Sequence, residues 1–93
     1  MYLTENSRKR RDKIEIIYAI LENCSLHRPI RKTRFIYKCN MAYCGVQRYL
    51  RLLLNFDLIK FTDDNRVLLT EKGLKVRNLL RELSRYGLIS EGE

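Results

Sequence analysis

The side chains best equipped for chemistry in this sequence are three cysteines, a single histidine and an excess of arginine and lysine. Cys24, His27, Cys39 and Cys44 form a C-x2-H…C-x4-C series, four donors of the kind that hold tetrahedral zinc. The spacings are looser than those of a zinc motif and the intervening residues carry helical patterning, so no metal site is assigned. His27, beside Arg28, reads as loop surface. An odd number of thiols with no secretory signal argues against a secreted disulfide framework. A bridge among Cys24, Cys39 and Cys44, within or between subunits, is reasonable only for a hyperthermophilic source. Catalysis has little to work with: one histidine, no glycine-rich phosphate loop and no carboxylates paired on a helix face. Neither enzyme activity nor a cofactor is expected.

The cations carry more information than the thiols. Of the 93 residues, 19 are Lys or Arg and 11 are Asp or Glu, a formal charge of +8. Residues 1–51 hold 12 of the basic and 4 of the acidic side chains, whereas residues 52–93 hold 7 of each. One half is a cation, which favours a polyanionic partner, nucleic acid before a membrane surface. Arg8, Lys9, Arg10 and Arg11 form a basic N-terminal arm over residues 1–11. A second cluster, Arg31, Lys32, Arg34 and Lys38, follows Pro29, and Arg48 and Arg51 lie beyond it.

These side chains need elements to position them. From Asp12 to Cys24, Ile14, Ile17, Tyr18, Leu21 and Cys24 fall on one stripe of a helix of period 3.6. Ile16 and Ile20 fall on another face, which suggests a partner surface. Residues 25–31 read as a connector around Pro29. A short helix is expected over 32–39, a turn at Asn40, and a longer helix over 43–56. In that helix Val46, Tyr49, Leu50, Leu53 and Leu54 share one face. The opposite face carries Cys44, Arg48, Arg51 and Asn55, with Gln47 at its margin. Period two then takes over, with strands over 58–62 and 66–69 around Asp63-Asp64-Asn65. Thr70 is placed to cap a helix over 71–86, whose stripe is Val76, Leu79, Leu80, Leu83 and Tyr86 and which Gly87 ends. No apolar run approaches the roughly 18 to 20 residues of a membrane helix and no signal peptide opens the chain, so an intracellular location is expected.

The order helix, short helix, turn, helix, hairpin, helix is that of a winged helix-turn-helix, a mainly α fold with a small β-hairpin, over residues 12–87; residues 88–93 are a tail. The 43–56 helix would enter the major groove of DNA. Cys44, Gln47 and Arg48, in its N-terminal half, are the base-reading candidates, since Gln pairs with adenine and Arg with guanine. Arg31, Lys32, Arg34, Lys38, Tyr43 and Arg51 are assigned to phosphates, and Lys60 and Arg66 to a secondary wing contact. Two other classes compete: an interaction module docking its basic face on an acidic protein, and a redox switch centred on Cys44 among cations at a helix N-terminus.

The block PIRKTRFIYKCNMAYCGVQRYLRLLLNFDLI (29–59), followed by LTEKG (69–73), resembles the small winged-helix DNA-binding regulators of archaea and their viruses, over roughly residues 12–86. That resemblance implies a homodimeric transcriptional regulator built through its terminal helices. Ile16, Ile20, Leu79, Leu83 and Tyr86 are the interface expected on these grounds, with double-stranded DNA and a second copy as partners and no small-molecule ligand or membrane. Two departures stand out. Ala42 occupies the place where relatives carry a Ser or Thr N-cap, so the cap must come from Asn40 or be absent. The wing tip is acidic, and its carboxylates would repel phosphates unless they are directed away.

Overall fold

In a computed structural model of the protein, residues 13–89 are described; the arm Arg8 to Arg11 and tail residues 90–93 lie outside them. The elements are α1 (Lys13–Glu22), α2 (Lys32–Lys38), α3 (Tyr43–Asn55), β1 (Ile59–Phe61), β2 (Val67–Leu69) and α4 (Glu71–Arg85). The expected order is observed, with each element slightly shorter than its sequence pattern. β1 and β2 pair antiparallel, Ile59 opposite Leu69 and Phe61 opposite Val67. No helix among the described residues is long and apolar enough to cross a membrane.

Residues in the left-handed region end the helices. Asn40 (φ 55°), Asp57 (φ 65°) and Gly87 (φ 78°) follow α2, α3 and α4, each one residue past the cap. In all three the next amide reaches back five residues: Met41 N to Ile36 O (3.1 Å), Leu58 N to Leu53 O (2.9 Å) and Leu88 N to Leu83 O (3.0 Å). This is the Schellman closure, which satisfies carbonyls the helix leaves open. Asn40 therefore makes the turn between α2 and α3, as its position suggests.

α4 starts on a firmer cap. The Thr70 hydroxyl accepts from Gly73 N (2.9 Å) and donates to Asp57 O (2.7 Å), so one side chain joins the end of α3 to the start of α4. The residues 25–31 are more than a connector. Ile30 exchanges both backbone hydrogen bonds with Val67 (2.9 and 2.8 Å), and Leu69 N donates to Ser25 O (2.8 Å). The segment before α2 is thereby fixed to the hairpin.

The core contains Phe35, Val46, Leu50, Leu53, Ile59, Val67 and Leu69 together with Tyr18, Ala19, Ile20, Leu21 and Cys24 of the α1 region. This corrects the reading of α1 as a helix with one core stripe and one spare face. Ile20 is 0% exposed, Ile16 is half-buried against the core, and Ile14, expected inside, is 40% exposed. The reason is placement: α4 packs on α1 from one side, and Asn23, just past α1, turns its amide toward Cys39 Sγ at the end of α2 (3.8 Å). A helix held between neighbours buries two faces. Ile20 thus has no surface left for a second subunit. Arg81 of α4 clamps α1 through two 2.9 Å bonds to the Glu22 carboxylate. The same guanidinium holds the Glu22 carboxyl below the usual carboxylate range.

Candidate nucleic-acid interface

α3 presents two faces as expected, except that Leu54, expected inside, is exposed and Tyr49 is half-buried. Val46, Leu50 and Leu53 are buried, and Cys44, Arg48, Arg51 and Asn55 are exposed on the opposite side with Gln47 half-buried at the edge. The N-terminus of α3 is uncapped. Ala42 takes the N-cap backbone conformation (φ −75°, ψ 157°) with no side-chain acceptor, and Asn40 is committed to the left-handed turn. The first helical bond is Val46 N to Ala42 O (3.0 Å), so the amides of Tyr43, Cys44 and Gly45 precede the ladder.

Around α2 and α3, basic side chains line three grooves. The first, about 410 Å³, lies between the start of α2, the start of α3 and the wing tip, and takes in Arg31, Lys32, Tyr43, Asp64 and Arg66. Here Lys32 is held 4.7 Å over the Phe61 ring, a cation–π contact that fixes its ammonium beside the wing. The second, about 470 Å³, runs along the outer side of α2 and takes in Arg31, Arg34, Tyr37 and Lys38. The third, also about 470 Å³, joins Arg48, Arg51 and Asn55 to Lys13 at the start of α1. The cations grouped as phosphate contacts on sequence therefore belong to different surfaces, with Arg31 common to the first two. Lys60 is exposed on β1 and lines none of these three grooves.

Of the two wing-tip carboxylates, Asp64 is engaged internally and Asp63 is exposed. Asp64 accepts from the Thr62 hydroxyl and pairs with Arg66 Nε at 3.2 Å. The Thr62 hydrogen bond, with smaller help from Arg66 and Arg31, holds the Asp64 carboxyl below its ordinary value. Asn65 (φ 64°) closes the turn, and Arg66 N donates back to the Thr62 hydroxyl (3.0 Å).

The thiols do not form a site. Cys24 and Cys39 are buried whereas Cys44 and His27 are exposed, and no disulfide joins the three cysteines. Among the described residues no three His, Cys, Asp or Glu side chains come together as a metal set. Burial pushes the Cys24 thiol up to about 12, and it donates to Ile20 O (3.2 Å). Sequence spacing could not show this, because it says nothing of which thiols face the core.

The sequence profile of the winged helix-turn-helix family matches residues 10–87. The chain belongs to that family. Among solved structures, this chain is similar to Sso10a-2, a DNA-binding protein from Sulfolobus solfataricus. The two are 32% identical over 82% of this chain and 81% of the other, with a TM-score of 0.69. This agrees with the resemblance to small archaeal winged-helix proteins. Comparison with curated proteins gave no match. In winged-helix terms α2 and α3 are the helix-turn-helix, β1 and β2 the wing, and α1 and α4 the supports behind them.

Proposed function

We propose that this winged helix is a double-stranded DNA-binding transcriptional regulator that works by occupying its site, not by catalysis, inside the cell. The observation that carries this reading is the exposed Cys44, Arg48, Arg51 and Asn55 face of α3, opposite buried Val46, Leu50 and Leu53, with an uncapped N-terminus opening beside Arg31, Lys32 and Arg66. Free amides and the positive end of the helix dipole favour a phosphate at that position. Cys44, Gln47 and Arg48 would then meet base edges, and Arg51 the opposite backbone. The DNA-binding character of Sso10a-2 supports the reading.

Ala42 provides the test. In a chain optimised for stability alone, Asp or Ser would be preferred there, by about 1 kcal/mol. Ala42→Asp and Ala42→Ser are each expected to raise the melting temperature by about 4 to 8 °C. Ala42→Asp should lower duplex affinity about tenfold at low salt because its carboxylate stands where a phosphate docks, while Ala42→Ser stays near wild type. Calorimetry and fluorescence anisotropy on the same preparations decide it: full duplex affinity in Ala42→Asp removes the phosphate from the α3 N-terminus.

The regulator is proposed to act as a homodimer through α4. Leu79 (65% exposed), Leu83 and Tyr86 (76% exposed) stand at i, i+4 and i+7 beside the buried Gly73 and Leu80 face, and Leu88 is also exposed. Half-sites about 34 to 36 Å apart are expected for a two-fold pair. Light scattering at micromolar protein should give twice the 11.2 kDa chain mass, and Leu79→Asp the single mass. A wild-type mass of one chain at every concentration would end the dimer reading.

A further inference from the structure

The groove along the outer side of α2 holds Arg31, Arg34 and Lys38, grouped as duplex phosphate contacts on sequence, beside Arg28 and Tyr37, which the duplex reading does not use. We propose that it binds an unpaired nucleotide of single-stranded nucleic acid, with the Tyr37 ring stacking on the base and the surrounding cations holding the flanking phosphates. Among the described residues four cations line it, Arg28, Arg31, Arg34 and Lys38, and no carboxylate does. Its volume of about 470 Å³ lies within the range of small-molecule sites, about 300 to 1,000 Å³. Pro29 and Ile30 add apolar wall.

Tyr37 is 82% exposed, more than any other large hydrophobic side chain among the described residues. At i+3 from Arg34 and adjacent to Lys38, it stands within the cationic strip opposite buried Phe35. A duplex has little use for such a ring, because its base faces are hidden in the stack and its phosphates need only a hydroxyl. An unpaired base offers a π-face to any aromatic side chain, and cations beside an aromatic ring are the usual composition of single-strand sites.

The groove is also preorganised. The Ile30 and Val67 exchange holds its base against the wing, and the Ser25 hydroxyl accepts from Arg28 N (3.1 Å), fixing the turn that carries Arg28. Binding there costs little reordering of backbone.

The site shares Arg31 with the proposed duplex surface, and one experiment, built on residues the two do not share, separates them. Fluorescence anisotropy is measured with a labelled oligothymidylate and with a labelled blunt-ended duplex of two annealed strands, using wild type, Tyr37→Ala, Tyr37→Phe and Arg48→Ala. An exposed position makes these variants safe for folding. Tyr37→Ala should weaken the single strand about tenfold, Tyr37→Phe should bind it as wild type does, and both should keep duplex affinity. Arg48→Ala should show the reverse pattern if the duplex reading also holds; its failure to do so bears on that reading alone. Three results overturn the proposal: unchanged oligothymidylate binding in Tyr37→Ala, an equal loss on the duplex, or a loss in Tyr37→Phe as large as in Tyr37→Ala. The second result would assign the groove to the duplex track and the third to a hydroxyl contact with phosphate.

Discussion

Alanine at position 73 is expected to destabilise the domain by about 3 kcal/mol or more, the upper range of overpacking effects. A Cβ built there lies 2.0 Å from Leu58 O and 2.8 Å from Leu69 Cδ1. The first contact is with backbone, and that carbonyl already accepts from Thr70 N (3.1 Å). No rotamer change relieves it. α4 would have to withdraw from the junction where Thr70 binds both Asp57 O and Gly73 N. For a domain of this size the loss corresponds to a fall in melting temperature of roughly 12 °C or more. Gly45→Ala is the internal control. Its nearest neighbour is Met41 Cε at 3.3 Å, the end of a flexible side chain, and alanine is the better helix former by about 1 kcal/mol. Thermal unfolding followed by circular dichroism should show Gly73→Ala far below wild type and Gly45→Ala at or slightly above it. A Gly73→Ala protein as stable as wild type would contradict the close packing of α4 on Leu58.

The second large effect concerns α3. Arg48 is exposed at the middle of the polar face, one turn beyond Cys44 and next to Gln47. A bidentate pair with guanine contributes about 1 to 3 kcal/mol of discrimination, so Arg48→Ala should lower affinity for the preferred sequence by roughly tenfold to a hundredfold. Other sequences should be affected far less. Arg51→Ala serves as the contrast: a phosphate contact is lost on every sequence, and the salt slope falls by about 0.9. Folding is not at issue for either variant, since both side chains are exposed and the core face of α3 is untouched.

Much of this architecture is legible in the sequence, for reasons that particular residues illustrate. Val46, Leu50 and Leu53 recur at helical spacing and are the buried face of α3, which leaves the Arg48 and Arg51 face outside. Thr70 followed by Glu71 reads as a helix start, and the Thr70 hydroxyl caps Gly73 N. What escapes are features set by contacts across the fold. Helical period gives the faces of α1 but not the number of neighbours, so Ile20 looked available and is enclosed. A single bridged residue has no alternation to detect, so Ile30 hides its pairing with Val67 behind Pro29. The need for glycine at position 73 arises from Leu58, fifteen residues earlier in the chain. The acidic wing tip reads as repulsive because sequence cannot show that Asp64 is engaged by Thr62 and Arg66. Likewise, cations adjacent in sequence reach different grooves, since Arg31 sits where two surfaces meet and Arg34 turns to the outer one.

Whether the exposed face of α3 reads duplex DNA is decided by fluorescence anisotropy of a mixed set of duplexes over a salt series, wild type beside Arg48→Ala. The expected result is a linear fall of log affinity with log salt at about 0.9 per phosphate contacted, and a loss in Arg48→Ala confined to some of the duplexes. Weak binding that is flat with salt and indifferent to Arg48 would contradict it, and would assign the basic half of the chain to an acidic protein partner.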